Sequence, residues 1–173
     1  MINALQRYGV TRLWHFTDAK NVKSIRDNNG LLSWAESARR GMTIPAPGGN
    51  DWSHDADRLF SVDGYVHLAF VKNHPMLYVA RQDGRIENPV WVEIDVSVLA
   101  VAGVMYTNDV SNKSGVPLLN PDEARDSVDL EVLYTYMNWR DDDVMRRRRN
   151  AEKSEVLVPV MVPIHYIKGF HNG

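Results

Sequence analysis

The chain has 173 residues, 44% of them apolar and 24% charged, which suits one globular domain with a full core and excludes a disordered or fibrous protein. It has no cysteine, so disulfide frameworks, thiolate metal sites and thiol nucleophiles are excluded, and a reducing, cytoplasmic setting is compatible. The net charge of −2 makes the molecule as a whole no electrostatic magnet for nucleic acid, so any such binding must come from a local patch. No run approaches the roughly 20 apolar residues of a membrane span, and the first residues lack a basic segment followed by an apolar one, so a soluble protein without a membrane partner is expected.

Leu13-Trp14-His15-Phe16 reads as a buried strand, and Thr17-Asp18 supplies cap chemistry for a helix carrying Ala19, Val22 and Ile25. Asn28-Asn29-Gly30 ends that helix, and Ser33-Trp34-Ala35-Glu36 fits a capping box for a second, short helix running to Arg39-Arg40. From Thr43 to Gly64 the sequence reads as a long loop, with Pro45-Ala46-Pro47-Gly48-Gly49-Asn50 followed by polar residues. A strand is expected over Tyr65 to Val71, a helix opening at Asn73-His74-Pro75 and closing at Gly84, and a strand with one buried face over Val90 to Val96.

Gly103 to Tyr106 reads as another strand, Thr107 to Asn120 as a second long loop, and Pro121 to Asp126 as a helical turn. Val128 to Trp139 has helical spacing, and Arg146-Arg147-Arg148-Arg149 then run into a loop bearing Glu152 and Glu155. Val156, Val158, Val160 and Val162 predict one extended, half-buried strand with Glu155 at its entrance, and Ile164 to Phe170 a last one. Strands and short helices mix without a βαβ period, which predicts an α+β domain with a largely antiparallel sheet over residues 1–173.

The motifs exclude several chemistries. There is no G-x-G-x-x-G after a strand, no Walker lysine, no H-E-x-x-H and no G-x-S-x-G, so kinase, dinucleotide-fold, zinc-protease and serine-hydrolase readings fall, and His54, His67 and His74 are not spaced as metal ligands. What remains is a strand histidine, an arginine pair at a helix exit and an acid at a strand entrance. These are the classes of group needed to grip a nucleotide, bind phosphate and stabilise positive charge on a ribose as nicotinamide leaves. A core histidine beside a structural salt bridge has the same sequence appearance. Of the two acids, Glu155 is preferred to Glu152 because Val156-Leu157-Val158 follows it directly.

Trp14-His15-Phe16-Thr17-Asp18 through Ile25, Gly30-Leu31-Leu32, Arg39-Arg40 before Pro45-Ala46-Pro47-Gly48-Gly49, Tyr65-Val66-His67-Leu68-Ala69-Phe70 leading into Pro75-Met76-Leu77-Tyr78, and Glu155-Val156-Leu157-Val158 together resemble the DarT family of nucleic-acid ADP-ribosyltransferase toxins. Relative to that pattern, Asn50 to Asp63 reads as an insertion. The resemblance implies an ADP-ribosyltransferase fold of split, largely antiparallel sheets with short peripheral helices. It implies NAD as a consumed co-substrate held by His15, Phe16, Thr17, Ser24 and Leu32, with no metal. It implies Glu155 as the catalytic acid, with one of Arg39 and Arg40 as a catalytic arginine.

The expected reaction is transfer of ADP-ribose to a base of single-stranded DNA, with RNA as a second acceptor class, in a cytoplasmic toxin or anti-phage effector with an antitoxin partner. Arg146, Arg147, Arg148 and Arg149 would attract the strand, with Tyr134, Tyr136 and Trp139 available for stacking. The rival readings are an NAD-binding sensor without turnover and an ADP-ribosyltransferase with a protein acceptor.

Overall fold

The computed structural model describes residues 1–173. The chain runs α1 (Ile2–Arg7), β1 (Arg12–Asp18), α2 (Ala19–Asp27), β2 (Gly30–Leu32), α3 (Trp34–Arg39), α4 (Asp51–Leu59), β3 (Tyr65–Ala69) and α5 (Pro75–Gln82). It continues through β4 (Pro89–Asp95), a 3-10 turn (Val96–Ala100), β5 (Met105–Thr107), α6 (Pro121–Ser127), α7 (Leu130–Tyr134) and α8 (Asp142–Ala151). β6 (Glu155–Pro159), β7 (Met161–Pro163), a second 3-10 turn (Ile164–Tyr166) and β8 (Ile167–Asn172) complete it. No helix is long and apolar enough to cross a membrane.

Six strands form one antiparallel sheet in the order β5-β6-β3-β1-β4-β8, and β2 pairs with β7 in a small second sheet. β1 pairs with β4 along its whole length, and β3 does so with β6, but β1 and β3 share a single register pair, Trp14 with Ala69. The large sheet is therefore split down its middle, and on the β1 side of the split His15 turns its imidazole across to donate from Nδ1 to the carbonyl of His67 at 2.8 Å. A carbonyl that the ladder leaves without a strand partner is thus satisfied by a side chain. The core lies against the sheet, with Leu13, Leu68, Ile94, Tyr106, Val132 and Val156 among its buried residues.

Local chemistry accounts for the N-terminal half as expected. Asp18, fully buried, caps α2 by accepting from Lys20 N–H at 2.9 Å and also accepts from Glu87 and Asn88 N–H, so one carboxylate ties the end of β1 to the entry of β4. Burial acts to raise its pKa, but these three N–H groups hold it below the usual carboxylate value. Ser33 caps α3 through Glu36 N–H, and Asn29 and Gly30 take positive φ at the end of α2. Gly30 is required there: a Cβ would sit 2.4 Å from the carbonyl oxygen of Val162 on β7.

Four expectations need correction. The stretch from Thr43 to Gly64 is not wholly loop, because Asn50 accepts from Ser53 N–H at 2.8 Å and starts α4. The valine run is not one strand. Val160 has φ 65° and turns the chain from β6 in the large sheet to β7 in the small one, leaving Val160 itself 51% exposed. The helical spacing from Val128 to Trp139 yields only the short α7, ended where Thr135 adopts extended backbone, and the arginines instead lie in α8, capped by Asp141. β4 buries both faces in its middle, since Trp91 packs edge-on against Phe16 while Val92 and Ile94 face the core.

Candidate active site

Where the large sheet splits lies a half-open cavity, and the sequence of β1 and α2 sets one wall. His15, Phe16 and Thr17 come from β1, Ser24 from α2 and Leu32 from β2, and all five line it. A second wall is the Pro47-Gly48-Gly49 loop, pinned from behind by buried Asn21. That side chain donates to Thr17 Oγ1 at 3.0 Å and to Ala46 O at 2.6 Å and accepts from Ala46 N–H at 3.0 Å, while Arg85 donates to Gly48 O. α4 forms a third wall through Ser53, His54 and Asp57, and His54 stacks on Trp34 of α3 with ring centroids 3.6 Å apart.

The floor holds Glu155, only 6% exposed at the start of β6. Its Oε2 accepts from the backbone N–H of Ser111 at 2.9 Å and lies 3.5 Å from His67 Nδ1, while its Oε1 lies 3.5 Å from His74 Nε2. Burial works to raise this carboxyl, but His67, His74 and Ser111 outweigh it and hold Glu155 down at about 2. In the same way burial would lower His67, but the Glu155 carboxylate overrides it and holds the imidazolium up to about 9. His67 has both nitrogens engaged, Nε2 with Val62 O at 3.3 Å and Nδ1 with Ser111 Oγ at 3.1 Å.

Burial lowers the pKa of His74 below its ordinary value, and it lowers that of His15 to about 4. A charge-fixed carboxylate thus sits at the bottom of a partly apolar cleft, with one imidazolium and one neutral imidazole beside it.

The structure brings together Glu155, His15, Phe16, Thr17, Ser24 and Leu32 around one cavity. It does not bring Arg39 or Arg40 to that wall. Both guanidiniums clasp Glu36 on their own helix face, Arg39 through two bonds at 2.6 and 2.7 Å and Arg40 through one at 2.7 Å. The four-arginine run also divides by function. Arg147 forks onto Asp129 and also reaches Glu131; Arg148 is held by Glu152 and Val132 O. Arg146 pairs with Asp143 only at the surface, and Arg149 has no acidic partner.

Of the aromatics, Tyr134 donates its hydroxyl to Phe70 O and belongs to the fold. Tyr136 is 92% exposed and sits edge-on to Trp139, whose ring packs on Arg148. Sequence reasoning does not single out His67, His74 and Ser111 as partners of the acid. The one local hint is a run of polar residues flanking strand and loop, and their convergence depends on long-range pairing.

Comparison with known proteins adds the family. The family model described as "DarT: ssDNA thymidine ADP-ribosyltransferase, DarT" matches residues 14–171. Among solved structures, a Thermus sp. 2.9 DarT in complex with ADP-ribosylated ssDNA superposes with a TM-score of 0.67 at 18% identity, covering 92% of this chain and 80% of that one. A Thermosipho africanus DarTG in complex with ADP-ribose gives a TM-score of 0.66 at 21% identity, over 93% of this chain and 43% of that one. The Thermus sp. 2.9 DarT in complex with NAD+ gives 0.61 at 20% identity, over 92% and 80%. No curated protein matches the chain in sequence. At these identities the structures speak for a shared fold, and the family model for descent: this chain belongs to the DarT family of single-stranded-DNA thymidine ADP-ribosyltransferases.

Proposed function

We propose that this chain transfers ADP-ribose from NAD to thymidine in single-stranded DNA, with Glu155 as the acid at the reaction centre. The observation that carries the reading is the placement of a buried, ionised Glu155 in the same cavity as His15, Phe16, Thr17, Ser24 and Leu32. The cavity suits a dinucleotide. Flat apolar faces from Phe16 and Trp34 alternate with polar groups, and His54, His74 and Asp57 carry buried nitrogen or oxygen atoms without hydrogen-bond partners.

NAD supplies the electrophile, a ribose whose bond to a positively charged nicotinamide is labile. His15, Phe16, Thr17, Ser24 and Leu32 grip it; His15 is fixed in tautomer by its Nδ1 bond to His67 O. Glu155 uses Oε2 to hold Ser111, which leaves Oε1 to accept from a ribose hydroxyl and to stabilise positive charge developing on that sugar. Arg39 or Arg40 contributes to phosphate binding only by releasing Glu36. Arg146 and Arg149, the exposed members of the run, draw the DNA backbone, and Arg147 and Arg148 chiefly hold α8 in place. A restraining protein partner, as an antitoxin is to a toxin, belongs to the same reading.

The test is incubation with NAD and oligonucleotides that contain or lack thymidine, as single strand, duplex or RNA, read by mass spectrometry. A gain of one ADP-ribose confined to thymidine-containing single strands, lost in Glu155→Gln, is the expected result. Label on protein alone, or nicotinamide release without any transfer, would overturn it.

A further inference from the structure

Thymine makes a specific demand on this site. In a thymidine the N1 position carries the sugar, so N3 is the ring nitrogen free to accept a new bond, and at neutral pH it carries a weakly acidic proton. Before or as N3 attacks, something must take that proton. Around Glu155 the candidates thin out by geometry. The Oε2 of Glu155 is held by Ser111 N–H, and His67 has both nitrogens engaged by Val62 O and Ser111 Oγ. His15 has committed Nδ1 to His67 O, and Arg39 and Arg40 are clasped to Glu36 outside the cavity wall.

His54 and Asp57 also line the cavity with unpartnered atoms, but His54 is stacked on Trp34 and has no contact with Glu155, and Asp57 brings a second carboxylate. His74 is 5% exposed, lines the cavity beside Phe16, has neither ring nitrogen in a well-formed hydrogen bond, and lies 3.5 Å from Glu155 Oε1. Its side chain does not serve as the cap of α5, although the residue stands at the cap position, and its close charged neighbour is that carboxylate oxygen.

We propose that His74 is the general base that takes the N3 proton of the acceptor thymine, with Glu155 stabilising the imidazolium so formed. The inference rests on the functional reading above. In the step, the N3–H bond breaks and its proton passes to the ring nitrogen of His74 left bare. The electron pair released at N3 forms the bond to the anomeric carbon of the ribose, and the bond from that carbon to nicotinamide breaks with its pair leaving on nicotinamide. One positive charge is present before, on the nicotinamide ring, and one after, on His74. The Oε1 of Glu155, 3.5 Å from His74 Nε2, lies where that charge appears.

The groups facing His74 set its readiness. Burial lowers its pKa most, the Glu155 and Glu152 carboxylates and the Lys153 backbone raise it, and His67 lowers it. His15 also lies within its field. The result is an imidazole that is neutral before reaction and able to accept a proton beside a fixed carboxylate, whereas Glu155, held at about 2, is a poor base and His67, held up to about 9, already carries its proton.

The test compares wild type with His74→Gln on single-stranded oligonucleotides carrying one thymidine or one 5-fluoro-2′-deoxyuridine, whose N3–H is more acidic. Nicotinamide release to water is measured without DNA. His74→Gln should slow transfer to thymidine by about 100-fold or more beyond any loss it causes in release to water, and regain most of that excess loss on the fluorinated acceptor. The wild-type transfer rate should fall with acid as His74 takes up a proton, and that of His74→Gln should climb with pH without a plateau.

Nitrogen NMR of the histidines in the wild-type protein alone gives a readout independent of turnover and of the variant's folding: His74 should be neutral at pH 7 while His67 is protonated. Equal losses of transfer and release with no gain from fluorine would make His74 structural, and an imidazolium at pH 7 would also overturn the proposal. If wild type fails to label thymidine at all, the functional reading fails with it; if wild type labels and His74→Gln labels equally well, only the role of His74 fails.

Discussion

The backbone N–H of Ser111 donates to Glu155 Oε2 at 2.9 Å, so the loop between β5 and α6 is latched directly to the acid on β6. An amide in place of the carboxylate can still accept that bond but carries no charge. Glu155→Gln should therefore keep the Ser111 latch and still fold, with a melting temperature lowered by loss of the ion pair to His67, and lose transfer by about 100- to 1000-fold. Glu152→Gln removes a partner of Arg148 at the end of α8 and should leave most activity, with a small drop in melting temperature. Rates of nicotinamide release and melting curves for the two variants check both halves.

The pairing of His67 with Glu155 gives stability a pH signature. The His67 pKa rises on folding from 6.5 to about 9, so its contribution is fully present below about 6.5 and is lost as pH rises through about 9. The Glu155 pKa falls from 4.5 to about 2, so its contribution is present above about 4.5 and is lost as pH falls through about 2. Melting temperature should be highest between about pH 5 and 6.5 from this pair and decline toward pH 9. The alkaline decline should flatten in His67→Gln, and an unchanged alkaline limb in that variant would locate the effect elsewhere.

Val160 and Gly30 test the hinge between the two sheets in opposite directions. A β-branched residue at φ 65° is strained, and Val160 is half exposed, so Val160→Gly should stabilise by about 1 kcal/mol after the glycine's greater unfolded freedom is subtracted. Gly30→Ala places a Cβ 2.4 Å from Val162 O at φ 156° and should destabilise by about 2–4 kcal/mol, loosening β2 and with it Leu32 in the cavity wall. Denaturant midpoints measure both.

Much of the fold is legible in the sequence where short-range chemistry decides. Asp18 and Ser33 as caps, the Asn29-Gly30 stop and Pro75 in the first turn of α5 are each set by residues within one helical turn, and the structure shows them. α4 is not legible because Asp51, Ser53, His54, Asp55 and Asp57 are weak helix formers, and what holds the helix is the Asn50 cap and the His54 stack on Trp34. The break at Val160 is hidden by valines that favour strand on either side. In the site, Glu155 and the residues of β1 stand in recognisable local runs, whereas Ser111 reaches Glu155 from 44 positions earlier in the chain, a separation that periodicity does not report.

The arginine run should separate into two phenotypes. Arg146→Ser with Arg149→Ser removes exposed charge and should lower the salt dependence of single-strand binding, by about 0.7 in log–log slope for each phosphate that is no longer neutralised. Arg147→Ser breaks the fork to Asp129 and should lower the melting temperature with less effect on that slope. Fluorescence titrations of a labelled oligonucleotide at several salt concentrations, alongside melting curves, distinguish the two.

β1-β4-β8 and β3-β6-β5 are each well laddered, but the seam between them is stitched only at Trp14 with Ala69 and by the His15 bond to His67 O. The cleft is therefore also the molecule's easiest line of opening, and a ligand spanning it serves as mortar between two slabs. Occupancy should raise the apparent melting temperature in proportion to the logarithm of ligand excess, and amides bordering the seam should slow their exchange with solvent before those at the outer edges do. In such a molecule the co-substrate completes the architecture for as long as it stays bound, and its consumption returns the seam to its looser state.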